Sequence, residues 1–221
     1  MKILMGAALL AGLASAEPLD TILARLDKSA AASLSFAAEV KQFDYTAVLD
    51  LTEESSGVLR LKRSKGGVIG VMEMRQPNTF TVHFTGGTVE KYLPNANLVQ
   101  VYDVRKYTKS TDQYLLLVFG VSGADLRRNY AVTAGAEESL GAVRATRLEL
   151  VPKNKDALKL FAKIELWIPV GQTYAMQQKV TKTGGRDYLM WVYSGGKVNP
   201  GLPDSAFEFK APAGVSRKEL K

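Results

Sequence analysis

The strongest constraint on the fold is a succession of tight turns between stretches of alternating polar and apolar residues. Lys65-Gly66-Gly67, Gly86-Gly87, Pro94-Asn95-Ala96-Asn97 and Gly184-Gly185 each offer two to four residues in which to reverse the chain. Turns this short join antiparallel neighbours, because a parallel crossover needs about a dozen residues or more. The stretches between them have the period of strands. From Ser33 onward, Leu34, Phe36, Ala38 and Val40 fall on one face, and Ser35, Glu39 and Lys41 on the other. "SSGVLRLKRSKGGVIGVMEMRQ" reads as a hairpin, and "NTFTVHFTGGTVEKYLPNANLVQVYDV" continues it. Within "RQPNTFTVHF", Phe80, Val82 and Phe84 share a side opposite Thr79, Thr81, His83 and Thr85. A second series follows in "YAVTAGAEESLGAVRATRLELVPKN", where Val143 to Val151 is clearest. "LKLFAKIELWIPVGQTYAMQQKVTKTGGRDYLMWVY" adds three more strands, and "GLPDSAFEFKAPAGVSRKELK" is one short edge strand with a polar tail. The expected class is mainly β (α+β): one curved antiparallel sheet that closes or half-closes into a barrel.

Two or three helices interrupt this meander. Leu19, Ile22, Leu23 and Leu26 stand at helical spacing, which predicts an amphipathic helix over about 19 to 31 with Asp20 as a candidate N-cap. In "STDQYLLLVFGVSGADLRRN" the run Tyr114 to Phe119 does not alternate. It opens at Ser110 and Thr111, closes at Gly120, and reads as a short apolar helix with a buried strand as the alternative. A further helical turn is expected around Ala124 to Arg128. Helices this apolar must lie on a face of the sheet, as a lid over a hydrophobic cavity or core.

The opening "MKILMGAALLAGLASA" has one lysine, a short apolar run and Ala14-Ser15-Ala16 as a cleavage site. It is expected to be a signal peptide spanning 1–16, followed by a single domain over 17–221, so that the mature chain is exported; the resemblance given below makes the periplasm its expected compartment. The absence of cysteine excludes a disulfide framework and a lipid anchor at the cleavage site. The net charge of +7 is scattered rather than gathered in one tract, and no nucleic-acid recognition motif is present. A solvated basic surface is the plainest reading of that charge. With one histidine and no cysteine a conventional zinc site is not expected, and no cofactor is implied.

Catalytic constellations are missing too. No nucleophile elbow, phosphate-binding loop, dinucleotide fingerprint or zinc-protease helix occurs. His83 reads as a solvated strand histidine, and Glu53-Glu54 and Glu137-Glu138 as solvated turn charges rather than an acid/base pair. The expectation is therefore a binding protein and not an enzyme.

Three segments in order resemble the LolA family of periplasmic outer-membrane lipoprotein carriers. "ILARLDKSAAASLSFAAEVKQ" is similar to that family's opening helix running into an S-F-x-x-x-x-x-Q strand. "SGVLRLKR" and "RQPNTFTVHF" together resemble its G-x-L-x-x-K-R-P-N-x-F-x-W stretch, and "DSAFEFKAPAGVSRKEL" its A-x-F-x-F-x-P-P-x-G-V ending. "KYLPNANLVQVYD" and "DQYLLLVFG" stand where the family has a hairpin and its apolar lid helix. The resemblance implies an open, incomplete β-barrel with a lid of helices over a hydrophobic cavity, in a soluble chaperone that holds lipoprotein acyl chains there and moves them towards the outer membrane. It also implies an arginine latch on the lid. The latch motif is divided here, between Lys62-Arg63 and Arg75-Gln76-Pro77-Asn78-Thr79-Phe80; Arg75 is favoured because P-N-x-F is retained, with Arg63 as the other candidate. Candidate cavity residues are Phe36, Met72, Met74, Phe80, Val82 and Phe84 from the first half of the chain. From the second come Leu116, Phe119, Trp167, Met176, Met190 and Trp191, the methionines suiting varied chains. Lipoprotein acyl chains or other lipids, an inner-membrane lipoprotein-releasing transporter and an outer-membrane receptor are the implied partners of a monomer. The alternative on the same fold is a lipid-binding or envelope-stress sensor module that does not transport lipoproteins.

Overall fold

The computed structural model describes residues 17–65, 67–103 and 117–220. After helix α1 (Leu19–Ala30) come β1 (Ser35–Thr46), β2 (Leu51–Ser64), β3 (Gly67–Gln76), β4 (Phe80–Thr85), β5 (Thr88–Leu93) and β6 (Leu98–Asp103). The second series holds α2 (Gly123–Asn129), β7 (Tyr130–Leu140), β8 (Val143–Pro152), α3 (Lys155–Leu160), β9 (Phe161–Pro169), β10 (Gln177–Lys182) and β11 (Tyr188–Val198). A 3-10 turn at Asp204–Phe207 and the short β12 (Ser216–Leu220) follow.

All the strands join one sheet in the order β12-β6-β5-β4-β3-β2-β1-β11-β10-β9-β8-β7. The expected antiparallel pairing holds throughout except at β12, which runs parallel to β6. Two meanders, β1–β6 and β7–β11, meet at the β1–β11 pair, where Gln42 faces Trp191 and Val40 faces Tyr193. Strands β12 and β7 do not pair with each other, so the sheet is curved but open, as the incomplete barrel expected from the sequence requires.

One face of this sheet, the inner face, carries α1. Ile22, Leu23 and Leu26 of the helix join Leu148 and Leu150 of β8 and Ile164 and Leu166 of β9 in a buried cluster. Burying a leucine or isoleucine fully contributes about 1.5–3 kcal/mol, so this patch alone holds the helix down. Helix α2 lies against α1 at close range. A Cβ at Gly123 would sit 2.5 Å from the Leu23 carbonyl oxygen, so only glycine allows this approach. Ser122 caps α2 by accepting from the Asp125 backbone N–H at 2.9 Å, and Asp27 of α1 accepts from that of Ala124 at 3.0 Å.

The outer face is covered on its β2–β6 side by the C-terminal segment. Phe207 is buried there, while Arg60 donates to the Ala206 carbonyl at 2.8 Å and Lys62 pairs with Asp204 at 2.5 Å. Arg217 of β12 reaches Glu90 of β5 at 2.5 Å. The tail expected to be merely polar is thus a strap whose cations and rings hold it across the sheet.

Several local expectations are corrected. Pro18, with extended backbone, precedes α1 and makes no side-chain cap; Asp20 lies inside the first turn and pairs with Arg127. Leu34 is exposed and precedes β1 rather than extending its apolar face. The stretch before Phe161 forms α3, because the Asn154 side chain accepts from the N–H groups of Asp156 at 2.8 Å and Ala157 at 3.2 Å. Residues 111–116 of the expected apolar helix lie outside the described residues. Its end, Leu117 to Gly120, is a turn carrying a single bridge between Phe119 and Tyr174, and Gly120 has a left-handed φ of +68°. Both glutamate pairs stand in strands rather than turns: Glu53 and Glu54 in β2, Glu137 and Glu138 in β7.

Candidate functional site

Strand register allows the inner face to be read row by row. One row runs Leu148–Leu166–Gln178–Trp191–Gln42–Ser55, from the cluster under α1 across the β1–β11 junction. A second runs Ala38–Leu59–Met72–Val82–Lys91, from β1 out to β5. Between these rows and Val118, on the segment that crosses above them, lies a cavity of about 200 Å³. Its walls are Leu59, Leu61, Met72, Val82, Phe84, Val118, Trp191 and Tyr193, with Gln178 as the only amide. Trp191 Nε1 donates to Gln42 Oε1 at 3.1 Å, which keeps the indole's polar edge occupied and turns its ring to the cavity. For scale, a dry apolar cavity of about 150 Å³ takes up benzene.

The roof is tied down at three points. Ala175 N–H donates to the Val118 carbonyl at 2.8 Å, and Phe119 stacks on Phe36 with ring centroids 5.4 Å apart. The third tie is Arg63, whose guanidinium donates to the carbonyl of Gly120. A Cβ at Gly120 would stand 2.9 Å from that guanidinium, so positive φ and close approach both require glycine here. The Arg63 Nε is buried without a hydrogen-bond partner, and burial lowers the pKa of the group from the ordinary arginine value. Of the two arginines expected at the lid, Arg63 makes this contact and the Arg75 side chain is exposed.

Among the sequence candidates, Met72, Val82, Phe84 and Trp191 line the cavity. Phe36, Met74 and Phe119 pack in the adjoining core, and Phe80 stands at its edge under the Lys91 ammonium, 4.4 Å from the ring centroid. Trp167 belongs to the outer face, where its Nε1 donates to Glu138 Oε2 at 2.7 Å; Met190 shares the alternate register beside Lys179 and Phe43. Met176 is half-buried, its backbone bridging Trp167 and Tyr193. Leu116 lies outside the described residues. Leu59, Leu61, Gln178 and Tyr193 were not singled out in the sequence. Alternation in "VLRLKR" carried the signal for the two leucines, whereas Gln178 and Tyr193 depend on the β1–β11 and β10–β11 pairings.

Beyond the apolar rows the inner face turns polar. A second pocket, of about 390 Å³, is bounded by Gln42, Asp44, Glu53, Ser55, Asn78, Phe80, Lys91 and Asn95 among others. His83 takes no part in either pocket. It is half-buried on the outer face beside Glu90 at 3.9 Å and the Phe209 ring at 6.3 Å, covered by the C-terminal strap rather than solvated. Burial lowers its pKa, against the raising influence of Glu90 and Glu208. Glu137 and Glu138 are ion-paired with Arg144 and Arg147. Among the described residues no three His, Asp or Glu side chains gather to hold a metal ion, and no helix is long and apolar enough to cross a membrane.

The open sheet with helices over one face, and a cavity between, is the architecture that the resemblance to the LolA family implies. Solved structures share this architecture. An uncharacterized conserved protein from Thermus thermophilus superposes with a TM-score of 0.54 at 14% identity, over 91% of this chain and 98% of that one. MucB superposes with a TM-score of 0.53 at 12% identity, over 87% of this chain but only 63% of MucB. A LolA superfamily protein from Nitrosomonas europaea also matches, at 13% identity and a TM-score of 0.40 over 88% of this chain and 99% of that one. No protein-family model matches the sequence, and comparison with curated proteins gives no match.

Proposed function

We propose that this protein is an acyl-chain carrier of the bacterial envelope, in the manner the LolA resemblance implies for lipoproteins. The observation that carries the reading is the apolar cavity under Val118, walled by strands of both meanders and roofed by a segment held through a few polar ties. Each buried methylene contributes about 0.8 kcal/mol, so a chain end that fills the cavity binds firmly without any polar contact. The cavity accepts part of a chain at rest, and a longer chain enters as the roof lifts. Arg63 is the latch of that roof in this proposal. One of its donors is satisfied at Gly120 and another is buried unpaired, a combination that holds the closed form weakly enough to release. Export through the leader at 1–16 would place the carrier in the periplasm, between an inner-membrane source and an outer-membrane acceptor.

The second reading, on the same fold, is a lipid-binding or envelope-stress sensor module that keeps its ligand and transports nothing. Transfer separates the two. Mature protein is loaded with a fluorescent fatty acid or an acylated lipoprotein and mixed with acceptor vesicles. A carrier delivers its load to the vesicles, faster with Arg63→Leu. A sensor binds and retains it. Failure to take up either ligand, in a protein that is folded by circular dichroism, would remove both readings.

A further inference from the structure

The polar pocket next to the acyl cavity is a head-group site, and we infer that it selects a zwitterionic phospholipid head carrying a phosphate and an ammonium. This inference rests on the carrier reading above, because it takes the two pockets as the two ends of one amphiphile's path.

Continuity comes from the sheet. The row Ala38–Leu59–Met72–Val82, which floors the apolar cavity, ends on Lys91 of β5, a lysine pointing to the same inner face. The row through Trp191 passes to Gln42 and Ser55, so the apolar wall becomes polar within one strand pairing on that side as well. Phe80, Gln42, Ser55 and Lys91 bound the polar pocket, and Trp191, Met72 and Val82 its apolar neighbour. An amphiphile with its tail under Val118 therefore has its head at Lys91.

The charges of the pocket fall on opposite sides. On β5, Lys91 has no carboxylate within ion-pair distance among the described residues; its ammonium rests on the Phe80 ring. Across the pocket, β1 and β2 present Asp44 and Glu53, which face each other in register. Asp44 is half-buried and its Oδ1 is ion-paired with Lys182 at 3.7 Å. Glu53 is exposed and makes no ion pair among the described residues, so it is the carboxylate left to meet a cation in the pocket. A purely anionic head would satisfy Lys91 and be repelled by Asp44 and Glu53. A phosphate at Lys91 with an ammonium towards Asp44 and Glu53 satisfies both sides, and the Gln42 and Ser55 side chains add neutral hydrogen-bonding groups.

The test is a competition. Full-length mature protein is incubated with vesicles of equal phosphatidylethanolamine and phosphatidylglycerol with identical acyl chains, recovered free of vesicles, and its lipid quantified by mass spectrometry. Phosphatidylethanolamine is expected to be enriched several-fold. Glu53→Gln is expected to bring the ratio towards one, because only the ammonium faces that side, and Lys91→Ala to lower recovery of both lipids several-fold, each leaving uptake of a fluorescent fatty-acid methyl ester, which has no charged head, unchanged. Glu53 is exposed, so its replacement leaves the fold intact and keeps the test decisive if the lysine variant is unstable. Equal recovery of the two lipids, or a preference for phosphatidylglycerol, with uptake of the ester retained overturns the head-group assignment and leaves the carrier reading standing. No uptake of any lipid by folded protein overturns both.

Discussion

The two halves of the sheet solve the same problem differently. On β8 and β9 the inner face is filled: α1 lays Ile22, Leu23 and Leu26 onto Leu148, Leu150, Ile164 and Leu166, every one of them fully or nearly fully buried. On β1–β5 an equally apolar face meets no helix among the described residues but only single side chains such as Val118, Phe119 and Tyr174, and a cavity remains. A filled core and an open cavity are here the same kind of surface, distinguished by how much of it a helix covers. Alternation along a strand says which side is oily. It does not say whether that side is filled.

If this contrast holds, truncation should cost most where the face is filled. Leu148→Ala or Ile164→Ala is expected to lose about 2–5 kcal/mol of stability, and Leu59→Ala, already beside a void, about half as much. Urea unfolding of the three variants measures it, and equal losses would erase the distinction between the halves. Next in size is the roof. Arg63→Leu removes a hydrogen bond from a charged group, a contact worth about 1.5–3 kcal/mol, and should raise the release rate of a bound fluorescent fatty acid by about tenfold or more. Arg75→Leu, on an exposed side chain, should leave the rate unchanged. Stopped-flow measurement of both sharpens the comparison, since equal effects would take the latch away from Arg63.

Filling the void gives a smaller and more selective effect. Val82→Phe grows into empty space, so stability should shift by less than about 1 kcal/mol, while fatty-acid affinity falls sharply. The corresponding enlargement Ala157→Phe, in the filled half, should destabilise by about 1–3 kcal/mol. Isothermal titration beside thermal melts separates the two outcomes.

The smallest effect belongs to His83. Its folded pKa lies below its ordinary value of 6.5 because burial disfavours the imidazolium, so its contribution is present above that value. The contribution is lost as pH falls through the folded pKa. His83→Gln should therefore flatten the decline in stability between about pH 8 and about pH 5, and an unchanged slope would mean that other groups set it.

Much of this architecture was legible in the sequence because the turns are local. Lys65-Gly66-Gly67, Gly86-Gly87 and Pro94–Asn97 fix their hairpins whatever lies elsewhere, and Asn97 adopts the left-handed conformation such a turn needs. What could not be read locally was the junction of the two meanders. Trp191 and Trp167 stand at similar places in apolar strands, yet the first lines the cavity and the second turns outward to Glu138, a matter settled by which neighbours their strands acquire. Helix α3 was missed because six residues are too few for a helical period to show, and its signal is the single cap at Asn154. The divided latch motif shows the same limit: the retained P-N-x-F points to Arg75, whereas the contact of Arg63 is to the carbonyl of Gly120, a backbone atom that sequence spacing does not display.

The open sheet has a further consequence, for self-association. A sheet that does not close leaves backbone donors and acceptors at its borders, an invitation to grow by adding strands from another copy. Here both borders are unattractive templates. β12 is short and carries Arg217, Lys218 and Glu219, and β7 slips register between Ala134 and Glu137 and carries Glu137 and Glu138, tied back to Arg144 and Arg147. Charge and irregularity at the two borders let the protein keep an unfilled apolar interior without that openness spreading into polymerisation.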